Sequence, residues 1–350
     1  MDIENLGQKV AQLKWREGYT WTQIDKEFPD VSRDTFRRAA RRYRDAHPDE
    51  FPEAGAPEVS GVTAAEAQPN PEDAYKRMVE DWDLLRRFEE RKRGQSLKFA
   101  QSIVCLVNSA DWHLGGQGVD YPALRADLEL IADTPGMYVV TLGDLVDNFI
   151  LAKMASIRYG TTTPIPAEWA VVRMLLEIVS DKMLISVGGN HDKWTKALAG
   201  IDYFADVVRS VTDKALYDPD EVYARLTIGS WDGILLKARH KWRGNSELNI
   251  SHGPEKAARF DKPFHIGMAA HTHVSGVVRQ FRTIDPETQR PDTGIILQAG
   301  SYKRYDDYAK ALGLPEANTS TSVAVIIDSR TRSLIGFDNL RCAANWMGEL

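Results

Sequence analysis

The chain has 350 residues, 43% of them hydrophobic and 27% charged, which suits a globular protein with one sizeable catalytic domain and a smaller module. Its net charge of −6 argues against overall attraction to polyanions, and its two cysteines, Cys105 and Cys342, exclude a disulfide framework or a cysteine-based zinc site. No apolar run approaches the roughly 20 residues of a membrane helix, and the polar N-terminus lacks the layout of a signal peptide. We therefore expect a cytoplasmic protein without a membrane partner.

The first segment, residues 1–47, is predicted to form a compact unit of three helices. The first helix is expected to end near Gly18, because glycine readily ends a helix. Thr20 followed by Gln23 has the form of a capping box, which predicts a second helix over TWTQIDKEF. Ser32 is the expected N-cap of a third helix, RDTFRRAARRYR.

The third predicted helix has a local positive charge that the average over the whole chain hides. Asp34 is the one acidic residue between Ser32 and Arg44. Three short helices with a tight turn before an arginine-rich last helix resemble a homeodomain-like helix-turn-helix, in which the last helix enters the DNA major groove. The resemblance implies DNA as a partner, with contacts from Arg33, Arg37, Arg38, Arg41, Arg42 and Arg44. The alternative is a solvated basic helix in a protein–protein module.

A change in composition separates this unit from the rest of the chain. Residues 48–72 are rich in Pro, Ala, Glu and Gly and are predicted to form a flexible linker. The next segment, residues 73–100, is predicted to connect the two domains through an amphipathic helix over residues 73–93. The apolar positions of that helix are Tyr75, Met78, Val79, Trp82, Leu85 and Phe88. They are expected to pack on a neighbouring element or, as a second possibility, to pair in a homodimer.

From residue 101 to residue 350 the sequence alternates short apolar runs with helical or polar segments. The runs are IVCLV, MYVVTL, KMLISV, GILLKA, FHIGMAA, GIILQA and VAVIID. Their length and β-branched content predict buried strands of an α/β domain. The last run, followed by SLIGFD, predicts a closing hairpin.

Polar clusters directly follow five of these runs, at the place where open α/β sheets gather ligand-binding groups. The clusters are Asp111-x-His113, Gly143-Asp144-x-x-Asp147, Gly189-Asn190-His191-Asp192, Arg239-His240 and His271-x-His273. A lone histidine or Gly-Asp turn is usually structural, but five ordered clusters at strand ends favour one shared site. Mixed carboxylate and imidazole ligands suit manganese, iron, zinc or nickel better than a magnesium-only oxygen cage.

Taken in order, the clusters resemble the signature of the calcineurin-like metallophosphoesterases over roughly residues 103–275. The resemblance implies a four-layer α-β-β-α sandwich and two divalent metal ions, manganese first, with iron, zinc, nickel or magnesium as alternatives. It implies that one ion is held by Asp111, His113, Asp144 and His273. It implies that the other is held by Asp144, Asn190, His240 and His271, so that Asp144 bridges the two ions.

The resemblance also assigns roles in phosphoester hydrolysis. His191 would be the histidine that faces the scissile phosphate without binding metal, and Asp147 would orient it. A hydroxide bridging the two metals would attack phosphorus, while His191 neutralises charge or protonates the leaving group. Three cations that bracket His240 could clamp further phosphates, or could belong to an ordinary basic loop: Arg239, Lys241 and Arg243.

The chain departs from the family pattern at two positions. Ala270 stands in place of the glycine before the last histidine pair, and Lys241 stands in place of the glycine after the fourth-motif histidine. The second departure leaves His252 and His265 as alternatives to His240 as a ligand.

These motifs do not identify which phosphate ester is hydrolysed, because enzymes with several different activities share the fold. A DNA-binding unit joined to a phosphodiesterase site favours a DNA nuclease, a combination that looks phage-like. The alternatives are a phosphomonoesterase, a cyclic-nucleotide phosphodiesterase, a protein phosphatase, and a DNA-binding regulator with an inactive scaffold. Asn148 stands where the protein phosphatase motif has an arginine. After the last motif, candidates to touch substrate follow Gly300-Ser301, namely Tyr302, Lys303 and Arg304.

Overall fold

The computed structural model describes residues 2–51, 70–150, 163–244, 249–284, 291–304 and 321–349. The chain divides into two compact units, Met1–Glu80 and Asp81–Leu350. Residues 52–69, which make up most of the predicted linker, lie outside the described residues.

The N-terminal unit contains the three helices expected from the sequence. Helix α1 (Ile3–Ala11) continues into a π-helical turn, Gln12–Arg16, and α2 (Trp21–Glu27) and α3 (Arg33–Ala46) follow. Gly18 has a φ of +74°, a left-handed conformation that glycine adopts without steric cost, and it ends the first helical segment.

Local capping and a small apolar core hold this unit together. Thr20 and Gln23 form the predicted capping box, and the Ser32 hydroxyl accepts a hydrogen bond from the main-chain N–H of Thr35. The two predicted N-caps are thereby confirmed. The core takes fully buried side chains from each of the three helices, among them Val10, Ile24, Phe36 and Ala40.

The predicted connecting segment, residues 73–100, is helical only in its first part. Helix α4 (Pro71–Arg93) ends before Gly94, and strand β1 (Ser96–Phe99) follows at once. The helix predicted over residues 73–93 is confirmed, and the connecting segment predicted to run to residue 100 is corrected, because glycine disfavours helix continuation and residues 96–99 pair with a later strand. The first strand of the second unit therefore begins at Ser96, before the boundary expected at residue 101.

The rest of the second unit mixes strands and helices, which confirms the predicted α/β class. Its further strands are β2 (Ile103–Ser109), β3 (Met137–Thr141), β4 (Met183–Val187), β5 (Leu216–Asp218), β6 (Val222–Ile228), β7 (Trp231–Ala238), β8 (Ile266–Ala269), β9 (Gly276–Ile284), β10 (Pro291–Gln298), β11 (Val323–Asp328) and β12 (Ser333–Phe337). Its further helices are α5 (Tyr121–Asp133), α6 (Ile165–Ile178), α7 (Asp192–Ala199), α8 (Tyr203–Val211), α9 (His252–Phe260) and α10 (Leu340–Gly348), with a 3₁₀ turn at Ser180–Lys182. Within the described ranges no helix is long and apolar enough to span a bilayer.

The strands form two six-stranded sheets, in the orders β1-β6-β7-β8-β10-β9 and β12-β11-β2-β3-β4-β5. Strands β2, β3, β4 and β5 run parallel, as do β7, β8 and β10. Strands β11 and β12 pair antiparallel, which confirms the predicted closing hairpin. The carboxyl ends of β2, β3 and β4 therefore lie at one edge of their sheet.

The two sheets share one core, which explains why their strands read as continuous apolar runs. In β2, Val104 and Leu106 pack in the same cluster as Leu226 and Leu236 of the other sheet. The alternate residues of β2 pack in a second cluster with helices α5, α6, α8 and α10. A third cluster joins the opposite face of the first sheet to Ala258 of α9. Alternating side chains are thus buried on both faces of a strand.

Candidate metal centre

Five loops bring the polar clusters together at the carboxyl ends of strands from both sheets. The loops after β2, β3 and β4 carry Asp111, Asp144 and Asn190, and the loops after β7 and β8 carry His240 and His271. Because the two sheets pack face to face, loops that are far apart in the sequence meet at one edge of the pair.

The first ligand group contains Asp111, His113 and His273, whose potential ligand atoms all lie within 4.8 Å of one another. The Nε2 atoms of His113 and His273 are 3.1 Å apart. The Asp111 Oδ1 atom lies 3.6 Å from His273 Nε2 and 3.9 Å from His113 Nε2. Three converging donor atoms of this kind are what a transition-metal ion or zinc requires.

The second ligand group contains Asp144, His240 and His271, with Asn190 beside it. The His240 Nε2 atom lies 3.1 Å from Asp144 Oδ2 and 3.1 Å from Asn190 Oδ1. The Nδ1 atom of His271 is 3.2 Å from the same His240 nitrogen. The two groups adjoin, since the main-chain N–H of His271 donates to Asp111 Oδ2 at 2.8 Å.

Two of the histidines are oriented by hydrogen bonds from the ring nitrogen that faces away from the groups. The Nδ1 atom of His113 bonds to Asp147 Oδ1 at 2.8 Å, and the Nδ1 atom of His240 bonds to the Leu142 carbonyl oxygen at 2.6 Å. Such contacts fix the tautomer that leaves Nε2 as a lone-pair donor, which is the usual support of a metal-binding imidazole.

The carboxylate of Asp111 provides a test of whether the site fits a cation. Asp111 is fully buried, and its Oδ1 atom has no hydrogen-bond partner among the described residues. A buried carboxylate oxygen without a donor is costly unless a cation pairs with it. The donor set around it combines imidazole nitrogens and carboxylate oxygens, so the residues present fit a divalent metal ion.

The backbone at the site is held in a conformation that non-glycine residues rarely adopt. Positive φ values between 48° and 78° occur at Asp111, His113, Asp144, His271 and His273. Each such residue costs roughly 1–3 kcal/mol and persists where the surrounding structure enforces it, most often at functional sites. The left-handed turns re-aim side chains from adjacent loops toward common centres.

Electrostatics couple the buried acid and bases of the second group. Burial disfavours the charge of Asp144, but the neighbouring His240 and His191 hold the pKa of that carboxyl well below its usual range. Burial also disfavours the imidazolium of His240, yet the Asp144 carboxylate raises the pKa of His240 to about 9. A proton on His240 therefore occupies the place that a metal ion would take, since metal ligation needs the neutral imidazole.

Asp192 is a buried acid of the site whose role is not evident from its place in the sequence. Its Oδ2 atom accepts hydrogen bonds from the main-chain N–H groups of Asp144 at 2.7 Å and Gly189 at 2.8 Å, and its Oδ1 atom accepts from Leu145 at 3.2 Å. It ties the Asp144 loop to the Asn190 loop. Its position directly after the Asn190-His191 pair was the available signal, but only the fold reveals its partners.

His191 lies beside both groups and differs from expectation in what orients it. Its Nδ1 atom lies 2.7 Å from the main-chain carbonyl oxygen of Asp147, so the Asp147 carboxylate does not perform this task. That carboxylate instead bonds to His113 Nδ1 at 2.8 Å. The His191 ring also stacks on Trp194 with centroids 4.1 Å apart. Together with His113 and Asp147, His191 forms a third group of potential ligands.

The loop after β10 meets the site through its serine and its lysine. The Ser301 hydroxyl donates to the main-chain carbonyl of Asp111 at 2.7 Å, and Lys303 Nζ lies 3.3 Å from Asp147 Oδ2. Tyr302 is fully buried and donates to the Asp127 carboxylate at 2.6 Å, so it is not exposed to a substrate. Arg304 pairs with Asp120 at 3.3 Å.

The alternative ligands and the basic loop take other positions. His265 Nδ1 accepts a hydrogen bond from the main-chain N–H of Leu235 at 2.9 Å, and His252 is an exposed residue at the start of α9. Neither belongs to a ligand group among the described residues. Arg239 lies 3.5 Å from Glu221, whereas the neighbouring basic residues Lys241 and Arg243 are exposed.

The arginines of α3 fall into three sets. The guanidinium groups of Arg37 and Arg44 lie over the rings of Trp21 and Trp15, at 5.0 Å and 4.9 Å from the centroids. Arg33 is exposed and pairs with Asp25 at 2.7 Å. The remaining three are exposed to solvent: Arg38, Arg41 and Arg42.

Comparison with known proteins finds similarity only at the level of solved structures. No family model matches the chain, and no curated protein does. The chain is similar to a metallophosphoesterase from Sphaerobacter thermophilus, at 15% identity and a TM-score of 0.33, over 67% of this chain and 87% of that one.

Two further structures give a similar result. The calcineurin-like phosphoesterase YfkN from Bacillus subtilis matches at 12% identity and a TM-score of 0.33, over 71% of this chain and 97% of that one. The nuclease MPE from Pseudomonas putida matches at 14% identity and a TM-score of 0.30, over 66% of this chain and 87% of that one. Since these TM-scores are low, the chemistry of the present site rests on its own residues.

Proposed function

We propose that this protein is a two-metal phosphodiesterase that cleaves DNA, with an N-terminal helix-turn-helix unit that targets it to the substrate. The observation that carries the proposal is the convergence of two adjoining ligand groups from five strand ends, with one buried carboxylate oxygen of Asp111 left without a donor. Structural histidines and turns do not need that convergence, whereas a pair of cations does.

The ligand groups assign a set of residues to each ion. One ion would be held by Asp111, His113 and His273, and the other by Asp144, Asn190, His240 and His271, with Asp144 as the candidate bridge. When bound, two divalent ions would polarise the phosphoryl oxygens and lower the pKa of a water molecule. Manganese is the first candidate because the groups mix imidazole with carboxylate.

His191 is the candidate acid and charge-neutralising group. Its Nδ1 atom is engaged by the Asp147 carbonyl, so Nε2 is the ring atom that would meet the substrate. When Nε2 carries a proton, the imidazolium can neutralise charge on the phosphoryl oxygens or protonate the leaving oxygen. The Trp194 ring and the main-chain carbonyl together restrict how the imidazole can rotate.

The carboxylate of Asp147 and the ammonium of Lys303 lie together beside the first ligand group. Asp147 holds the His113 ring in place, and Lys303 lies against the same carboxylate with little exposure to solvent. A fixed cation beside the ligand groups would attract a phosphate diester and would stabilise charge that develops during hydrolysis.

The DNA part of the proposal is supported by the charge of α3. Arg38, Arg41 and Arg42, all exposed on a single helix, supply cations for a phosphate backbone, while Arg37 and Arg44 pack on tryptophan rings. Because α3 and the ligand groups belong to one chain, DNA bound at α3 would be held at a raised local concentration near those groups. A phosphodiester of DNA is therefore favoured over a small phosphomonoester.

The test is Mn²⁺-dependent cleavage of end-labelled single-stranded and double-stranded DNA by the full chain. Cleavage is expected to require the metal, to stop with a chelator, and to fall by at least about 100-fold in His191→Ala, since general acid catalysis contributes 10²–10⁴-fold. The fragment pattern separates endonuclease from exonuclease action.

The matched control is His252→Ala, because His252 is an exposed histidine of the same unit outside the ligand groups. This variant is expected to cleave like the wild type. Hydrolysis of a small phosphomonoester without DNA cleavage would replace the nuclease proposal by a phosphatase. Loss of metal from His191→Ala, measured by elemental analysis, would contradict the role given to His191.

A further inference from the structure

Helix α4 carries an apolar stripe that is exposed to solvent. Its six members, each between 44% and 67% exposed, are Tyr75, Met78, Val79, Trp82, Leu85 and Phe88, and we call them the α4 stripe. Single exposed hydrophobic residues are normal, but a contiguous patch above about 300–600 Å² marks an interaction surface. Three of the six are aromatic, and each aromatic side chain can bury roughly 150–250 Å².

The spacing of the stripe is that of a helix that pairs with another helix. Tyr75, Met78, Trp82 and Leu85 follow one another at intervals of three, four and three residues, which is the apolar seam of a heptad pattern. Asp73, Glu80, Arg87 and Arg91 lie on the opposite face, as in an amphipathic helix, while the seam ends at Glu89. Leu84 is 71% exposed but lies off the seam, because consecutive helical residues are about 100° apart.

The charges along α4 select an orientation for such pairing. From Pro71 to Trp82 the helix has four acidic and two basic residues, and from Asp83 to Arg93 it has three acidic and five basic residues. A parallel pair would place like-charged halves side by side. An antiparallel pair places the acidic half of one helix along the basic half of the other.

The stripe is also centred so that two copies overlap in full. Its midpoint falls between Asp81 and Trp82, next to the middle residue of α4. A two-fold axis there places Tyr75 opposite Phe88 of the second copy, and two-fold contacts of this kind are self-complementary. The overlap runs for about 20 Å, given a rise of 1.5 Å per residue.

We infer that α4 pairs in an antiparallel manner with α4 of a second copy of this chain, with the two-fold axis near Trp82 and the α4 stripe as the buried seam. A second copy is favoured as the partner because the two halves of α4 carry opposite net charges and because the stripe is centred on the helix. The pairing does not depend on the activity of the metal centre, since the stripe and the ligand groups share no residue.

The first test is the mass of the full chain in solution, measured by sedimentation equilibrium. We expect a dimer at micromolar concentration. Leu85→Glu is expected to weaken dimerisation by at least about 10-fold, because a buried unpaired charge is costly. Leu84→Glu is the matched control, since it makes the same change at an adjacent exposed leucine off the stripe.

Circular dichroism checks that both variants keep their helix content, which is expected because both leucines are exposed. A monomeric wild type overturns the inference, and the stripe then serves another partner. Equal behaviour of Leu84→Glu and Leu85→Glu overturns it as well, since the seam would not distinguish the two positions.

The second test is the orientation, measured by disulfide trapping in a Cys342→Ser background that removes the exposed native thiol. Mixing Met78→Cys with Leu85→Cys is expected to give a cross-linked pair, because an axis between Asp81 and Trp82 sets these two seam residues at the same level. Either variant alone is expected to give none, because its two copies are about 10 Å apart along the axis, beyond the ~7 Å Cα limit of a disulfide. Cross-linking of each variant with itself indicates parallel helices and contradicts the inferred geometry.

Discussion

At the scale of single residues, Asp144 is the side chain on which most of the site depends. Its Oδ1 atom accepts the main-chain N–H of His191 at 2.8 Å, and its Oδ2 atom lies 3.1 Å from His240 Nε2. It is nearly fully buried and adopts a left-handed backbone conformation. A buried carboxylate with a left-handed backbone costs free energy of folding. The contacts of Asp144 with His191 and His240 offset that cost.

Asp144→Ala is expected to lower bound metal and activity together. Changes outside the ligand set alone cost 10–100-fold in metal affinity or activity, so loss of a ligand should cost more than about 100-fold. The measurement is metal content by elemental analysis beside turnover of a chromogenic diester. Retention of both metal ions in Asp144→Ala would count against its assignment as a shared ligand.

Asp192→Ala is expected to destabilise the second unit. The change leaves three buried main-chain N–H groups without an acceptor, and each unsatisfied group costs roughly 1–3 kcal/mol. The free energy of unfolding of the metal-free protein, measured by urea denaturation, should fall by at least about 3 kcal/mol. Asp192→Asn keeps one acceptor oxygen, so its free energy of unfolding should lie between those of the wild type and Asp192→Ala.

At the scale of elements, the helical unit and the sheets draw stability from different sources. The helical unit has a small core of its own and two capped helices, so short-range signals specify much of it. The sheets depend on pairings between distant strands, such as β2 with β11 and β1 with β6. Non-local pairings of this kind have no local signature except apolar patterning.

Phe36→Ala is expected to unfold the helical unit locally. Phe36 is fully buried in the small core, and replacement of a buried phenylalanine by alanine costs about 3–5 kcal/mol. Hydrogen exchange of residues 2–51 should accelerate while that of the sheets is unchanged. Phe260→Ala is the control, since Phe260 is 81% exposed and should leave exchange unchanged in both units.

Removal of residues 1–47 is expected to weaken DNA affinity and to leave hydrolysis of a small chromogenic diester unchanged. All members of the ligand groups belong to the unit Asp81–Leu350, so the deletion removes none of them. Steady-state kinetics on the small diester and filter binding to DNA measure the two effects separately. A parallel loss of both would show that the helical unit is needed for the site itself.

At the scale of the whole molecule, charge is distributed unevenly. The chain has a net charge of −6, yet α3 concentrates six of its arginines. Attraction to DNA therefore has to be local and sensitive to salt, because the remainder of the chain carries the opposite sign. The same unevenness along α4 favours pairing with an inverted copy.

Arg41→Ala is expected to reduce the slope of log affinity against log salt concentration for DNA by about 1, the value for one lost phosphate contact. The measurement is fluorescence anisotropy with labelled duplex DNA at several salt concentrations. Arg209→Ala provides the comparison, because the Arg209 side chain is 73% exposed in the other unit and should leave the slope unchanged.

Much of the architecture could be predicted because its signals are local. The apolar runs correspond to β2, β3, β4, β7, β8, β10 and β11, since most residues of each run are buried. Strand β6 was missed although its apolar residues alternate, and β5 has only three residues. Thr20 and Ser32 were recognised because a cap acts within three residues of itself.

The sequence by itself determined which residue types follow each strand, because the residues of each loop come directly after its strand along the chain. Only the tertiary structure decided that His240 joins a ligand group while His265 bonds to a neighbouring strand. It also decided that the Asp147 carboxylate serves His113 and that Asp192 ties two loops together. The physical reason is distance along the chain: His113 and His273 are 160 residues apart and meet only after two sheets have packed.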